Sequence, residues 1–528
     1  MAVNIKFPKN DRNRSDFRNP LINFMDAKSV DIERTMVNLY MLLSHNGSRV
    51  KAAVKEGRFS VPNFIKLFQE VENKPGGKIQ GAKQYPEAVE YWLRANLVNM
   101  VNRGKNNEKI SSLRPVHLSA YKIRNPKQTQ DFNSSDQVYA LLSVQPEVRK
   151  QLSDFLNEGW NENSQRISPD VRDIDSIGIM RLTEGLSRGA DDGKDLFRNV
   201  KPFLEADAHK YCDDIRHILM YKKAVPRHVM IEYITVLTAF HLSLYFIKLI
   251  QNVPKVVKAG SKEVISPLSL VFDLTDDPDS GAAALSMQNA QDVFDGIQDY
   301  IRAVFSVNVA LEYHRKNPDN SAYLDEALAL LHQPTTRFQD WCNLKVEGVK
   351  QEKSNEESTE VQEMIRQIEA IEPNDFERYV SLFMQARGVG YYHRFHVQLL
   401  DSLSLKNTES GTIAAGRSRR HRRRFVLGTK LLETLIQLSV LKVQSTGYQT
   451  QPISIEELME WLHNRYGIII NGLGTENFQQ TDLNTNQAFR ENVAAFRDKL
   501  RQIGFYSVLS DAYLLQKIRP RYEINTRS

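Results

Sequence analysis

Apolar residues recur at helical spacing through the first 350 positions, and that periodicity predicts one helix after another. Across Ser29–His45, Val30, Ile32, Met36, Leu39, Tyr40 and Leu43 fall near a 3.6-residue period, and Gly47 supplies a stop. Val61–Asn73 ends at Pro75-Gly76-Gly77, and Pro86–Arg103 carries Val89, Trp92, Leu93, Leu97 and Val101 ahead of Gly104. Further helices are expected over Ser135–Gly159, Pro169–Gly189, Asp195–Lys222, Pro226–Asn252 and Ser286–Arg315. Between the last two, Val256-Val257, Val264-Ile265 and Leu268–Phe272 are short β-rich runs broken by Gly260, Pro267 and Pro278, which predicts a loop or small hairpin.

Val229–Ile250 is the most apolar stretch, with sixteen apolar or aromatic residues in twenty-two. It also holds Glu232, His241 and Lys248, which are expensive in hydrocarbon, so it reads as the buried helix of a helical domain rather than a membrane span. The first twelve residues contain no apolar run of signal-peptide length. Together these predict a cytoplasmic protein without membrane contact.

The C-terminal pattern differs. Phe425–Val443 reads as a helix, followed by an extended piece at Tyr448–Ile453. Ser454-Ile-Glu-Glu457 has the form of a capping box opening the helix Ile455–Tyr466, which Gly467 stops. Asn486–Ile503 presents Phe489, Val493, Phe496, Leu500 and Ile503 on one face, and Gly504 can cap it. Alternation over Phe505–Leu509 and Tyr513–Ile518 around Ser510-Asp511-Ala512 predicts a closing hairpin. Helix, strand, helix, helix, hairpin is the order of a winged helix-turn-helix, with Asn486–Ile503 as recognition helix. The expected fold is therefore mainly α: a multi-domain helical protein with a C-terminal winged helix-turn-helix. Its parts are a helical N-terminal region (1–130), a helical core (131–350), a polar linker (351–373), a short connector (374–416) and the C-terminal module (417–528).

Charge sharpens this division. The net charge of +6 is unremarkable for 528 residues. Residues 1–130, however, hold 23 Lys/Arg against 11 Asp/Glu, and residues 417–528 hold 17 against 10, so the middle is acidic. Arg417, Arg419, Arg420, Arg422, Arg423 and Arg424 place six arginines in eight positions just before the C-terminal module. Guanidinium pairs with phosphate in a bidentate fork and keeps its charge at physiological pH. Arg490, Arg497 and Arg501 align on one side of the proposed recognition helix. Asn486, Gln487 and Asn492 can hydrogen-bond base edges, and Lys517, Arg519 and Arg521 lie where a wing would reach phosphates. The same strip can instead be solvated or paired with the acidic middle, and winged helices also dock proteins.

No catalytic motif stands out. Phosphate-loop, nucleophile-elbow and His-Glu-x-x-His patterns do not occur, and the two cysteines, Cys212 and Cys342, form no Cys-x-x-Cys pair. His209, Asp213 and His217 repeat every four residues beside Cys212, but zinc ligands normally converge from more than one element. Asp340, Glu347 and Lys350 match no trusted nuclease spacing. No metal and no cofactor is expected.

The stretch Gly504–Ile524, with Gly-Phe-Tyr-Ser-Val-Leu-Ser-Asp-Ala-Tyr and then Ile-Arg-Pro-Arg-Tyr, resembles the closing hairpin of proteins encoded in bacterial anti-phage islands. The whole chain, helical and poor in motifs, is similar to non-ATPase accessory subunits of methylation-associated or phosphorothioation-dependent defence systems. That resemblance implies work beside a separate ATPase, methyltransferase or nuclease, and transfers no functional residue. The expectation is a non-catalytic DNA-binding subunit gripping duplex phosphates through its basic ends. The alternatives are a protein-docking scaffold, or a nuclease whose carboxylates assemble only in three dimensions.

Overall fold

A computed structural model describes residues 18–527, apart from 55–57, 74–78, 102–107, 162–165, 169–170, 172, 185, 187–196, 198, 317–318, 354–358, 386–391, 417–421, 446, 473–481 and 507–516. Helices dominate. The architecture is organised by α2 (Arg227–Ala259), whose middle is apolar on nearly every side and is taken into the core, while Glu232, Lys255 and Lys258 towards its ends stay exposed. In its most apolar stretch 94% of the residues are buried, so its length and composition serve the protein core. Around it pack α1 (Glu205–Leu219), α4 (Ile297–Tyr313), α5 (His393–Leu403) and α6 (Thr429–Val440).

The buried polar groups along the middle of α2 are partnered, as burial requires. Thr238 meets the Tyr211 hydroxyl at 3.0 Å, Ser243 meets Ser404 at 2.8 Å, and Lys248 pairs with Asp207 at 2.7 Å. The helix outruns the sequence expectation by passing through Pro254. A mid-helix proline gives up one backbone hydrogen bond, but Val253 and Val256 are buried on either side and hold the helix in register. It ends at Gly260, whose φ of +70° is left-handed.

The stretch after α2, expected as a loop or small hairpin of β-rich runs, contributes a strand to a larger sheet. β1 (Leu270–Asp273), buried at all four positions, lies in a four-stranded sheet with β2 (Ile413–Ala414), β3 (Arg424–Val426) and β6 (Ile468–Ile469), in the order β6-β1-β3-β2. β6 and β3 run parallel to β1, with Ile468 opposite Leu270 and Phe272 opposite Phe425, whereas β2 is antiparallel to β3. A two-sided buried strand reads as a short apolar run with no alternation, which is why Leu268–Phe272 stands out as a β-rich run while its sheet partners stay hidden in the sequence. α3 (Gly281–Asp295) packs on this sheet, and α8 (Leu483–Gln502) packs on α3. Their approach is close at Gly281, where a Cβ would lie 2.8 Å from the Ala488 Cβ.

In the C-terminal part, α6 is flanked by strand residues on both sides. β4 (Leu441–Gln444) pairs with β5 (Gly447–Thr450), and β7 (Asn525–Arg527) adds to β5. The capping box of α7 (Ile455–Tyr466) is formed as the sequence specifies: Glu457 N–H donates to Ser454 Oγ at 3.0 Å, and the Glu457 carboxylate accepts from Ser454 N–H. Most of the expected closing hairpin, 507–516, lies outside the described residues. Its last residue, Ile518, bridges Ile453.

The basic N-terminal region joins the same core through the helix Ile32–Ser44, which packs against Ser134–Leu142. Phe64 and Phe68 are buried in a smaller adjoining cluster. One expected helix is shorter than its pattern: Pro86–Ala95 gives way to a strand, Leu97–Val101, paired antiparallel with Glu108–Leu113. Leu97 and Val101 suit a helical stripe and a strand equally, and pairing across the hairpin decides between them.

Candidate functional site

The arginine strip divides into different environments. Arg417, Arg419 and Arg420 lie outside the described residues, and Arg422 is exposed. Arg423 forks onto Asp401 with two hydrogen bonds of 2.7 Å and lies over the Phe294 ring. Burial would raise the Asp401 carboxyl, but hydrogen bonds from Arg423 and Lys406 hold it below the ordinary carboxylate value. Arg424 occupies β3, is buried, and donates from Nε to Asp273 at 2.7 Å inside the sheet. These two arginines therefore do not extend a free cationic strip. β3 is buried at both Arg424 and Phe425, so Arg424 lies inside the protein, where only a buried carboxylate can balance it.

The α8 residues separate by face. Asn492, a candidate for reaching bases, is instead fully buried. Its Nδ2 donates to the carbonyls of Phe272 (2.8 Å) and Ile470 (3.0 Å), and its Oδ1 accepts from Leu274 N–H (2.8 Å). One side chain thus ties α8 to β1 and to the end of β6. Lys499 is likewise buried along its stem and reaches Asp276 at 3.4 Å. Arg490, Arg497 and Arg501 point outward and are all exposed. Arg497 lies 3.5 Å from Glu456, and Arg501 pairs with Asp498 at 2.7 Å, both partners being well solvated. Asn486 and Gln487 lie near the start of α8, donating to the Asp482 carbonyl and to Glu491. Lys517 and Arg519 are exposed, whereas Arg521 is engaged by Glu433 and lies over Phe505.

The metal-like spacing on α1 assembles no centre. His209 and Asp213 share the side chain of Gln145, Cys212 is buried against the Leu141 carbonyl, and His217 packs edge-on to Tyr448. Burial pushes the Cys212 thiol up to about 12. Among the described residues, no group of three or more His, Cys, Asp or Glu is placed to hold a metal ion.

A different cluster lies one residue further along α1. Asp214 is completely buried and accepts hydrogen bonds from His241 Nε2 of α2 at 2.8 Å, from Arg465 Nε at 2.9 Å and from the Tyr466 hydroxyl at 2.6 Å, the last two at the end of α7. Burial alone would raise its carboxyl. The bond and charge of His241, the charge of Arg465 and the Tyr466 bond outweigh that and hold it below 3.8. Burial and the Asp214 charge drive the Tyr466 hydroxyl well above its ordinary 10.0.

This network forms one wall of a 240 Å³ cavity lined by Asp207, Lys210, His241, Lys248, His463 and Arg465, among others. Lys210 Nζ donates to the Arg465 carbonyl at 3.0 Å and lies 3.9 Å from Asp207, the partner of Lys248. Gly467 also lines the cavity with a φ of +73°, and a Cβ there would lie 2.1 Å from the Leu268 carbonyl oxygen. The sequence marks His241 only as a polar residue in an apolar helix and gives little sign of Asp214. A second acid directly after Asp213 on a helix does not identify partners more than two hundred residues away.

No curated protein and no solved structure matches the chain. The family model described as Methylation-associated defense system protein MAD7 matches residues 12–522. Covering nearly the entire sequence of a helical chain with an integrated C-terminal part, that match places the protein in the MAD7 family of methylation-associated defense system proteins.

Proposed function

We propose that this chain is a non-catalytic, DNA-binding subunit of its defence system, working in the cytoplasm beside separate ATPase, methyltransferase or nuclease subunits. The observation that carries the reading is the two-sidedness of α8. Phe489, Asn492, Phe496 and Leu500 fix one face to the protein, while Arg490, Arg497 and Arg501 stand on the other. A rigidly docked helix with arginines outward needs no rearrangement to meet a phosphate backbone, and exposed carboxylate partners such as Glu456 and Asp498 are weak competitors. In this reading α8 serves as the DNA-facing helix of a winged-helix-like module, and Lys517 and Arg519 extend the interface.

Titration of full-length protein against duplex DNA at two salt concentrations, in a mobility-shift assay, tests it. Affinity is expected to fall steeply with salt and to be weakened similarly on unrelated sequences in an R490E/R497E/R501E variant. Absent or salt-insensitive binding would exclude the reading. A second reading, protein docking by the same module, is favoured by two apolar side chains left in solvent: Val443 on β4 and Leu483 at the start of α8 are 67% and 88% exposed. Co-purification with the other defence subunits that disappears in V443S/L483S, with DNA affinity intact, would establish that role.

A further inference from the structure

The cavity between α1, α2 and the end of α7 belongs to no part of the DNA reading, and its charge does not close. Three cations, Lys210, Lys248 and Arg465, share two carboxylates, Asp207 and Asp214. Asp207 is stretched between both ammonium groups, and Asp214 is occupied by Arg465, His241 and Tyr466. Among these five groups the cations outnumber the carboxylates by one. Burial comes first in lowering the Lys210 ammonium from its ordinary 10.5, with Lys248 and Arg465 adding to it against Asp207. A bound anion would relieve that repulsion. The inner cavity shares lining residues with an outer groove. Lys210, Asn464 and Arg465 line both, and the groove, of 450 Å³, also contains Trp461, Lys442, Glu457 and Glu460.

We infer that this is a binding site for a small phosphate monoester of mononucleotide size. Its phosphate sits among Lys210, Lys248 and Arg465, and its organic part lies in the outer groove beside Trp461. An inner volume of 240 Å³ suits one phosphate with a few waters, and the groove has room for a base or sugar against an aromatic ring. Cationic donors from three helices suit the several oxygens of a phosphate better than the two of a carboxylate, and the ammonium and guanidinium groups supply charge-assisted donors. Glu457 and Glu460 at the groove can accept from hydroxyl or amino groups on the organic part, and they disfavour a second phosphate there.

The test is thermal unfolding of the full-length protein with inorganic phosphate, adenosine 5′-monophosphate, adenosine or chloride at matched ionic strength. The expected result is a saturable rise in melting temperature with phosphate, reached at lower concentration with the mononucleotide, and none with adenosine or chloride. Lys210→Met, whose side chain is partly exposed and removable without leaving an unpaired buried acid, is expected to abolish the effect while melting near the parent without ligand. R490E/R497E/R501E is expected to retain it, which separates this cavity from the DNA-facing helix. No saturable shift, an equal shift from chloride, or a shift that survives Lys210→Met overturns the assignment.

Discussion

Replacing Asn492 by alanine separates a docked helix from a reading helix. Three hydrogen bonds disappear, those to the Phe272 and Ile470 carbonyls and the one from Leu274 N–H. Each contributes about 1 kcal/mol net, and a buried group without a partner costs about 1–3 kcal/mol. Asn492 is 0% exposed, so water does not replace it, and an unsatisfied Leu274 N–H alone takes the upper part of that range. The local cost is therefore about 3–5 kcal/mol, a hundredfold or more in the opening equilibrium of α8 from the sheet. Hydrogen–deuterium exchange reads this directly. Peptides spanning 268–275 and 483–502 are expected to exchange faster in N492A, while those of α2 keep their protection. Unchanged protection in both peptides would refute the packing argument. Loss of DNA affinity at unchanged protection would return Asn492 to the bases.

The same tertiary arrangement sets four further expectations. Arg424→Met strands Asp273, a 0% exposed carboxylate, and is expected to destabilise the protein by about 3–5 kcal/mol, seen as a lowered melting temperature; adding Asp273→Leu should recover most of it. Gly467→Ala is expected to destabilise because it forces a left-handed residue against the Leu268 carbonyl; a melting temperature equal to the parent would contradict that close approach. Burial holds the His396 imidazole at about 4, below its ordinary 6.5, so the unfolded chain takes up this proton first. Stability is therefore expected to fall as pH drops from 6.5 towards 4, by up to about 3 kcal/mol from this residue, and to level off below; the slope should shrink in His396→Gln. In duplex binding, replacing Arg490, Arg497 and Arg501 by alanine is expected to flatten the salt dependence by about 0.9 for each phosphate no longer neutralised, and an unchanged slope would remove those residues from the interface.

Local chemistry in the sequence is enough for elements whose signals are short-range. Ser454 and Glu457 specify a cap within four residues, Gly260 and Gly467 accept backbone that other residues resist, and the uniform apolarity of Val229–Ile250 requires burial wherever it is placed. Spacing likewise suffices for one face of α8: Arg490, Arg497 and Arg501 share it by helical geometry alone, and the structure leaves that face open.

Which polar residues have distant partners is decided only by the tertiary structure. Asn492 and Arg490 look equally available in the sequence, because helical spacing says which residues share a face but not which face is covered. The sheet, assembled from strands that are four residues long or fewer and drawn from positions 270 to 469, covers the Asn492 side. Arg423 and Arg424 belong to a dense cationic run, yet Asp401 and Asp273 claim them once β3 is placed. Asp214 gathers His241, Arg465 and Tyr466 from segments that only packing around α2 brings together. A charge's role depends on what balances it within a few ångströms, and that distance is set by the tertiary fold.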